Sequence, residues 1–560
     1  MRWIHAVAAG GLALGALGAC GAGDAGASFG GDDSGGDGSG PTAGCRSSNE
    51  CSVGYVCNEF GACVSPPSGG DGGVTDPPPE VEYDYSAPIA SQKYIYVAMT
   101  AQNELARIDA TTLEVKSTPV GQEPKVVSAI PGGDGAVVLD TTNGTATVVR
   151  PNGANDVTKV LATLTNLNRL DVTSNGRFAV VWFDLAKHVQ EAGLSGVGSF
   201  QDVTVISLEA GAERAVNLTV GFHPTEVQFD AQGLRAYVIT EDGVSVVDLG
   251  EATANGPSIV PPVPVAPYGA QNVEVNVLPT GQYAAVRVGG EAALRIVDVG
   301  GANPGQSWSI PLASPATDID LAPDGSRVYA VSREAKQLAV VPVPAALTAP
   351  NSVSHVDLTN AATGSLVLAA DGTKGVMFTN ATADERLSLI DFTQPSFPIT
   401  TWPLKKAVRA GAISPDGTKA LIINAKLPGD PGAATSTEEY IDRSYGYTLV
   451  DLATGFAKLQ ITPVDPSSFA FSPSGAKAYV ALDGGDAATD VRALQIITAQ
   501  TGVVVTKALG SPPSGVGILP DAGSAFVVQR HPQGRITFVD VLTDAVRTVP
   551  GFDLNGSIVH

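Results

Sequence analysis

The stretch that decides the fold is PATDIDLAPDGSRVYAVS, residues 315–332. Ile319 and Leu321 alternate with polar neighbours, which predicts a strand with one buried face. A Pro-Asp-Gly turn follows, and a second alternating run begins at Val328. The stretch therefore predicts two antiparallel strands joined by a tight turn.

The same strand–turn–strand unit returns along the chain, at residues 224–240, 409–424 and 466–482. From Lys93 onward the units follow one another with a period of about 47 residues, and each reads as four short strands. The four strands of the first unit are predicted at residues 93–99, 104–109, 114–118 and 124–130. Continuing this count predicts ten units that end at His560.

A second mark recurs at the end of the second strand of many units, where an aspartate closes the strand. The aspartates are Asp109, Asp248, Asp298, Asp391, Asp451 and Asp540. Such a carboxylate can accept hydrogen bonds from backbone N–H groups of the following turn. A metal-binding role is the alternative, but one aspartate per unit would hold the six apart in space. We expect the structural role.

Four-stranded units repeated every 40 to 50 residues are typical of a β-propeller. The units resemble the YVTN and lactonase-like propeller repeats in Tyr96-Val97-Ala98, in the I-D-x-x-T element, and in P-x-x-V before a Pro-Asp-Gly turn. The resemblance covers residues 93–560. WD40 repeats match less well because their Gly-His and Trp-Asp marks are missing. We predict an all-β propeller of about ten four-stranded units, with seven or eight blades as the alternative.

The composition fits such a fold and excludes some partners. The chain has 560 residues, of which 44% are hydrophobic and 16% charged, and its 64 glycines and 39 prolines suit many turns and short strands. The net charge of -23 argues against nucleic acid or an anionic membrane surface as a partner, because either needs a basic surface.

The N-terminus reads as an export signal. Residues 1–19 combine a positive start with a short apolar run, which predicts a signal peptide. Leu17-Gly18-Ala19-Cys20 resembles the lipobox of bacterial lipoproteins, and this resemblance implies that Cys20 carries a lipid. In that family an aspartate just after the cysteine favours retention in the inner membrane, so Gly21 at this position implies the outer membrane. An ordinary signal peptide with a chance cysteine is the alternative.

Between this signal and the repeats lie two linkers and a cysteine-rich module. Residues 20–44 and 64–92 are rich in Gly, Asp, Ser and Pro, so we predict disordered linkers. The module, residues 45–63, contains four cysteines at six-residue steps, namely Cys45, Cys51, Cys57 and Cys63. In an exported chain these predict two disulfides, whose pairing the spacing leaves open. Zinc is the alternative, although its sites usually use closer pairs.

Long inserts follow the first strand of several units, and loops on a rigid scaffold often carry function. The longest are at residues 185–201 and 425–446, with shorter ones at 483–490 and 530–534. The acidic and aromatic residues of the last three inserts are candidate ligand-binding residues, and calcium is a possible ligand of their carboxylates. These candidates are Asp430, Glu438, Glu439, Tyr440, Asp442, Asp483, Asp486, Asp490 and His531.

No motif assigns a catalytic residue or a cofactor. We therefore expect a surface-anchored lipoprotein whose propeller binds a protein or glycan partner in the cell envelope. A lactonase-like hydrolase at the mouth of the propeller channel is one alternative, implied by the repeat resemblance. A structural part of an envelope assembly is another. An aromatic patch on the insert-bearing face would favour binding, whereas a convergent His, Arg and carboxylate group would favour an enzyme.

Overall fold

The computed structural model describes residues 56–57, 63–64, 80, 90–153, 155–190, 196–254, 256–483 and 491–552. The chain divides into two compact units. The larger contains Glu80 and all described residues from 90 to 552 except 185–190. The smaller contains the other described segments.

The smaller unit includes two short strands and one helix. Strands β1 (Val56–Cys57) and β2 (Cys63–Val64) are antiparallel, with Cys57 opposite Cys63. Helix α1 covers Leu185–Gln190. Cys20, Cys45 and Cys51 lie outside the described residues, so lipidation and the two disulfides stay predictions.

The larger unit is a ring of ten antiparallel sheets, the blades of a β-propeller. Blade 1 contains β3 (Tyr94–Met99), β4 (Glu104–Asp109) and β5 (Val115–Pro119), and blade 2 contains β6 (Pro124–Ala129), β7 (Ala136–Asp140), β8 (Thr145–Asn152) and β9 (Asn155–Ala162). Blade 3 contains β10 (Arg169–Val172), β11 (Phe178–Trp182), β12 (Asp202–Ser207) and β13 (Arg214–Thr219), and blade 4 contains β14 (Pro224–Phe229), β15 (Arg235–Thr240), β16 (Gly243–Asp248) and β17 (Pro262–Val263). Blade 5 contains β18 (Glu274–Val277), β19 (Tyr283–Arg287), β20 (Ala293–Asp298) and β21 (Ser307–Pro311).

Blade 6 contains β22 (Asp318–Leu321), β23 (Arg327–Ser332), β24 (Gln337–Pro342) and β25 (Ser354–Asp357), and blade 7 contains β26 (Ser365–Leu368), β27 (Lys374–Phe378), β28 (Arg386–Asp391) and β29 (Ile399–Pro403). Blade 8 contains β30 (Val408–Ile413), β31 (Lys419–Asn424), β32 (Tyr445–Asp451) and β33 (Ala457–Thr462), and blade 9 contains β34 (Asp465–Phe471), β35 (Lys477–Asp483), β36 (Arg492–Thr498) and β37 (Val503–Ala508). Blade 10 contains β38 (Pro513–Leu519), β39 (Ser524–Gln529), β40 (Arg535–Asp540) and β41 (Val546–Pro550).

Short helices interrupt some connections. They are α2 (Leu249–Ala254), α3 (Ala345–Thr348), α4 (Thr437–Arg443) and the 3-10 turns Pro350–Ser352 and Pro431–Ala433. Helices α2 and α3 lie between the third and fourth strands of blades 4 and 6, where the sequence predicted no insert.

The predicted ten units are confirmed, and the alternative of seven or eight blades is wrong. The sheet boundaries, however, are displaced by one strand from the predicted units. The strand read as fourth in a unit, such as β6, is the innermost strand of the next blade. The most exposed strand, such as β9, is the outermost. Within the described residues blade 1 has three strands, and Ala90 adds one isolated bridge to Ile95.

The repeated turn follows the chemistry that residues 315–332 predict. In blade 6 the Ala322 N–H donates to the Arg327 carbonyl at 2.9 Å, and the Gly325 N–H donates to the Ala322 carbonyl at 2.8 Å. Gly325 has φ +68°, a left-handed conformation that glycine adopts without a steric penalty. The turn thereby connects the two innermost strands of the blade.

The recurring P-x-x-V element marks the start of an innermost strand. In five blades the pairing with the second strand shifts by one residue just after the first or second residue of this strand, as between Pro124 and Val126. In four of these blades that residue is proline, which has no N–H to donate, so it suits a strand start or a bulge.

The structural role of the recurring aspartates is confirmed. Asp109 accepts hydrogen bonds from the N–H groups of Thr111 and Thr112 at 2.8 and 2.9 Å. Asp540 accepts from those of Leu542 and Thr543 at 3.0 and 2.7 Å, and these bonds hold the pKa of Asp540 below its usual range. The remaining four make equivalent bonds, namely Asp248, Asp298, Asp391 and Asp451.

The apolar core lies between blades. Nine clusters of buried side chains each join two adjacent blades among the described residues. One of them contains Ile95 and Val97 of blade 1 together with Phe526 and Phe538 of blade 10. The last blade therefore packs on the first, and the ring closes through side-chain packing.

Candidate functional site on the insert face

One face of the ring carries the long loops. Strands alternate in direction within a blade, so the loop between the second and third strands opens on the same face as the connection to the next blade. We call this side the insert face. It brings together loops from all ten blades around the end of the channel.

The insert of blade 8 is attached to the ring by a buried lysine. Lys406 Nζ donates to the carbonyl oxygens of Ile441 and Asp442 at 2.8 and 2.7 Å, at the C-terminal end of α4. Burial lowers the pKa of Lys406 to about 8. A cation at a helix C-terminus stabilises the last carbonyl groups. The insert is therefore an ordered part of the face.

Two of the predicted acidic residues of this insert also shape it, and ligand binding by these residues stays a prediction. Asp430 accepts from the Gly432 N–H at 2.9 Å and so caps the 3-10 turn. Glu439 accepts from the Thr435 hydroxyl at 2.7 Å and pairs with Arg443. The remaining predicted residues of this insert are the exposed Glu438 and Tyr440, and Asp442.

The second predicted acidic group is described only in part. Asp483 pairs with Arg530 at 2.6 Å. The neighbouring His531 Nδ1 accepts from the Gln533 N–H at 3.2 Å. Asp486 and Asp490 lie outside the described residues. Across the described ranges no three His, Cys, Asp or Glu side chains are grouped closely enough to hold a metal ion. A calcium site that uses Asp486 and Asp490 stays a prediction.

Arginine–carboxylate pairs surround the channel at the insert-face ends of the two innermost strands. They are Arg169–Asp184 at 2.6 Å, Arg287–Glu274 at 2.7 Å, Arg409–Asp465 at 2.7 Å and Arg530–Asp483 at 2.6 Å. Among the described residues these charged groups are thus distributed over blades 3, 5, 8, 9 and 10, and each is paired within its own blade or with the next blade.

A fifth rim arginine, Arg333 of blade 6, has a partner from outside the ring. Its guanidinium pairs with Glu80, whose side chain is only 5% exposed. The Glu80 carboxylate also accepts from the Thr379 hydroxyl at 2.8 Å and from the backbone N–H groups of Asn380 and Ala381 at 2.9 and 3.3 Å. We call these four donors, between blades 6 and 7, the carboxylate cradle.

Asp318, at the start of the innermost strand of blade 6, is half-buried beside this region. Its carboxylate accepts from the Leu366 N–H of blade 7 at 2.8 Å. Burial raises the pKa of Asp318 to about 7, and the nearby Glu274 and Glu80 act in the same direction, while Arg287 opposes them. The group links two blades in a site that disfavours its charge.

An aromatic patch lies on the insert face at blades 3 and 4. Phe200 and Phe222 stack with ring centroids 6.0 Å apart, and Phe183 packs edge-on against Phe200 at 5.5 Å. Phe222 is 44% exposed. Beside it, His223 Nδ1 is 2.5 Å from Glu241 Oε1. We call Phe200, Phe222 and His223 the aromatic patch.

Acidic groups lie beside this patch, and a further exposed aromatic residue lies in the next connection between blades. Asp242 accepts from the Phe222 N–H at 2.9 Å, so both Asp242 and Glu241 are adjacent to exposed aromatic surface. Tyr268, in the next connection between blades, is fully exposed. This part of the insert face therefore combines apolar surface with a negatively charged border.

A separate groove of about 460 Å³ lies at the outer edges of blades 6 and 7. It is formed by β25 and by the loop that precedes β29, and it includes His355, Asp357 and Phe397. His355 Nδ1 is 3.0 Å from Gln337 Oε1. The groove belongs to the outer strands and not to the rim of the channel.

The insert face could be predicted from the sequence, but the carboxylate cradle and the aromatic patch could not. Arg333 and Glu80 are 253 positions apart, and Glu80 lies in the predicted linker that precedes the repeats. The patch combines residues of two blades whose neighbouring positions follow only from the ring. The Phe222-His223 pair before the P-x-x-V strand was the one local signal.

Comparisons with known proteins give no family. No protein-family model matches the chain, and no curated protein matches it. In the part of the chain that the structure describes, every helix is too short or too polar to cross a membrane.

Solved structures resemble the chain at the level of the propeller fold. A eukaryotic initiation factor matches with 12% identity and a TM-score of 0.47, covering 74% of this chain and 96% of that one. AztD from Citrobacter koseri matches with 13% identity and a TM-score of 0.36, covering 74% and 94%. The Cps50 (Swd1) β-propeller domain of a Myceliophthora species matches with 16% identity and a TM-score of 0.30, covering 59% and 97%. At this identity the matches say nothing about function.

Asp318 makes the stability of the propeller depend on pH. Its pKa is about 7 in the folded chain against an ordinary 3.8, so the folded state holds this proton more tightly than the unfolded chain does. Its contribution to stability is complete below about pH 4 and is lost as the pH rises through 7. We expect the melting temperature to decrease as the pH rises from 5 to 8, and to decrease less in Asp318→Asn than in the natural protein.

The measurement is thermal melting followed by circular dichroism across this range. An asparagine can still accept the Leu366 N–H bond, so the variant removes the ionisable group and keeps the contact. Glu334 is exposed, so Glu334→Gln is the matched control. Its melting temperature should depend on pH with the same slope as that of the natural protein. Equal slopes for Asp318→Asn and the natural protein would show that Asp318 does not titrate in this range.

Proposed function

We propose that the propeller is a binding module that receives a protein or glycan partner on its insert face. The observation that carries this proposal is the aromatic patch at blades 3 and 4. Exposed aromatic residues on a rigid base supply large contact area at a small cost in side-chain entropy, and they are enriched at the centres of protein interfaces.

The surroundings of the patch favour a protein over a glycan. Glu241 and Asp242 border the exposed Phe222, and the whole chain carries a net charge of -23. A partner surface with an apolar centre and a basic border complements this arrangement, whereas an acidic glycan is repelled. We therefore propose a protein partner with lysine or arginine residues around an apolar contact.

The lactonase-like hydrolase is the weaker candidate. An enzyme of that kind needs polar groups that converge on a substrate, and the rim pairs described above satisfy one another around the channel. A structural role in an envelope assembly is compatible with a protein-binding face. In that case another protein of the assembly binds to the same insert face.

We also propose that a lipid at Cys20 attaches the protein to the bacterial outer membrane. Support comes from the lipobox-like Leu17-Gly18-Ala19-Cys20 and from Gly21. In this arrangement the Gly/Asp/Ser-rich residues after Cys20 form a tether that leaves the insert face accessible to a partner.

The partner surface is tested by photo-crosslinking in cells. A photoreactive phenylalanine analogue replaces Phe222, and the same analogue replaces Phe456 as the matched control. Phe456 is also exposed but lies between the third and fourth strands of blade 8, on the opposite face. We expect a covalent adduct from position 222 and not from position 456.

Mass spectrometry of the adduct should find peptides of a second protein if the partner is a protein, and glycosidase should then leave the mass of the adduct unchanged. Loss of the added mass on glycosidase treatment would identify a glycan. No adduct from position 222, or equal adducts from both positions, would contradict a partner surface at the patch.

The anchor is tested by the Cys20→Ser variant. Without the thiol no lipid can be attached, so we expect the protein to lose incorporated labelled palmitate and to move from the membrane fraction to the soluble fraction. Cys45→Ser should keep both the label and the membrane fraction. Membrane retention of Cys20→Ser would contradict the lipid anchor.

A further inference from the structure

The carboxylate cradle holds Glu80, which belongs to neither of the two blades that form the cradle. The next described residue after Glu80 is Ala90, which pairs with Ile95 of blade 1. The cradle lies between blades 6 and 7, on the other side of the ten-blade ring. Glu80 therefore reaches this site as a long-range contact.

The cradle is built to accept a carboxylate. One carboxylate oxygen faces the Arg333 guanidinium and the Thr379 hydroxyl, and the other faces the N–H groups of Asn380 and Ala381. The Ala381 N–H also donates to the Thr379 oxygen at 3.3 Å, which leaves the hydroxyl hydrogen for the ligand. All four groups donate, and a carboxylate is an acceptor only, whereas an amide would bring its own N–H donors.

The space for the ligand is provided by a glycine. A Cβ atom at Gly364 would lie 2.3 Å from Glu80 Oε1. Gly364 does not have a positive φ, so its backbone conformation does not demand glycine. The absence of a side chain therefore leaves room for the carboxylate.

The cradle differs from the other rim pairs in the origin of its acid. The carboxylates that pair with Arg169, Arg287 and Arg409 come from the propeller itself. That of Arg333 comes from the segment which precedes the propeller. The ring thus offers a complete set of donors whose acceptor is supplied by a separate piece of chain.

We propose that the cradle between blades 6 and 7 is a binding site for a glutamate side chain of an acidic peptide segment, and that Glu80 is its built-in ligand. A free peptide of the same chemistry then competes with Glu80 for the four donors. The tethered Glu80 has the advantage of a high effective concentration, so the site accepts a free peptide readily only when Glu80 is removed.

This inference does not depend on the proposed partner surface. The aromatic patch lies at blades 3 and 4, and the cradle lies at blades 6 and 7. Absence of a Phe222 adduct would contradict the partner surface and leave the proposal for the cradle unaffected. Failure of the peptide experiment below would contradict the proposal for the cradle and leave the partner surface unaffected.

The test is a titration of the full chain with a fluorescent synthetic peptide, residues 76–86, DPPPEVEYDYS, followed by fluorescence anisotropy. We expect the Glu80→Ala protein to bind the peptide at least tenfold more tightly than the natural protein does. A second peptide with glutamine at position 80 keeps the three other acidic residues, and it should lose most of this binding. The double variant Glu80→Ala/Thr379→Val removes one donor without adding volume and should weaken binding by about tenfold.

Two further variants separate the cradle from general charge attraction. Glu80→Ala/Arg333→Gln should abolish binding, whereas Glu80→Ala/Arg386→Gln removes an arginine of blade 7 that pairs locally with Asp384 and should keep it. Circular dichroism and melting temperature confirm that each variant is folded. Absence of peptide binding to a folded Glu80→Ala protein would overturn the proposal, as would equal binding of the glutamate and glutamine peptides.

Discussion

Apolar packing between neighbouring blades is the interaction on which the rest of this structure depends. A four-stranded sheet has two faces to cover, and here each described cluster of buried side chains combines residues of two blades. At the closure, Ile95 and Val97 of blade 1 meet Phe538 of blade 10 across almost the whole length of the chain. Closure thus removes the two exposed sheet faces that an open array would leave.

The closed ring gives the insert face its fixed geometry. Loops from distant parts of the sequence meet on one side because every blade presents the same connections there. This is how Arg333 of blade 6 and Thr379 of blade 7 meet around Glu80, and how Phe200 and Phe222 of neighbouring connections stack. Lys406 extends the same rigidity to the blade 8 insert by holding the end of α4. In the proposed binding at the aromatic patch, Phe200 and Phe222 already pack against each other, which lowers the entropic cost of association.

The fold could be predicted from sequence because its signals are local. Residues 315–332 carry the alternation and turn chemistry of β22 and β23, and the repeat period yields the blade number. The sheet boundaries could not be predicted, since they depend on which neighbour a strand such as β6 pairs with. The candidate site was predicted only as a face. Asp430 and Glu439 prove to shape their loop, while the contact of Glu80 with Arg333 leaves no mark in either local sequence.

The most direct test of the closed ring is hydrogen exchange, measured by mass spectrometry, in the Phe538→Ala variant. Phe538 is 1% exposed in the cluster shared by blades 10 and 1, and its truncation leaves a cavity there. In a closed ring, amide exchange becomes faster in Tyr94–Met99 of blade 1 as well as in blade 10, and stays unchanged in Glu274–Val277 on the far side. Faster exchange confined to blades 9 and 10, with blade 1 unchanged, would contradict closure.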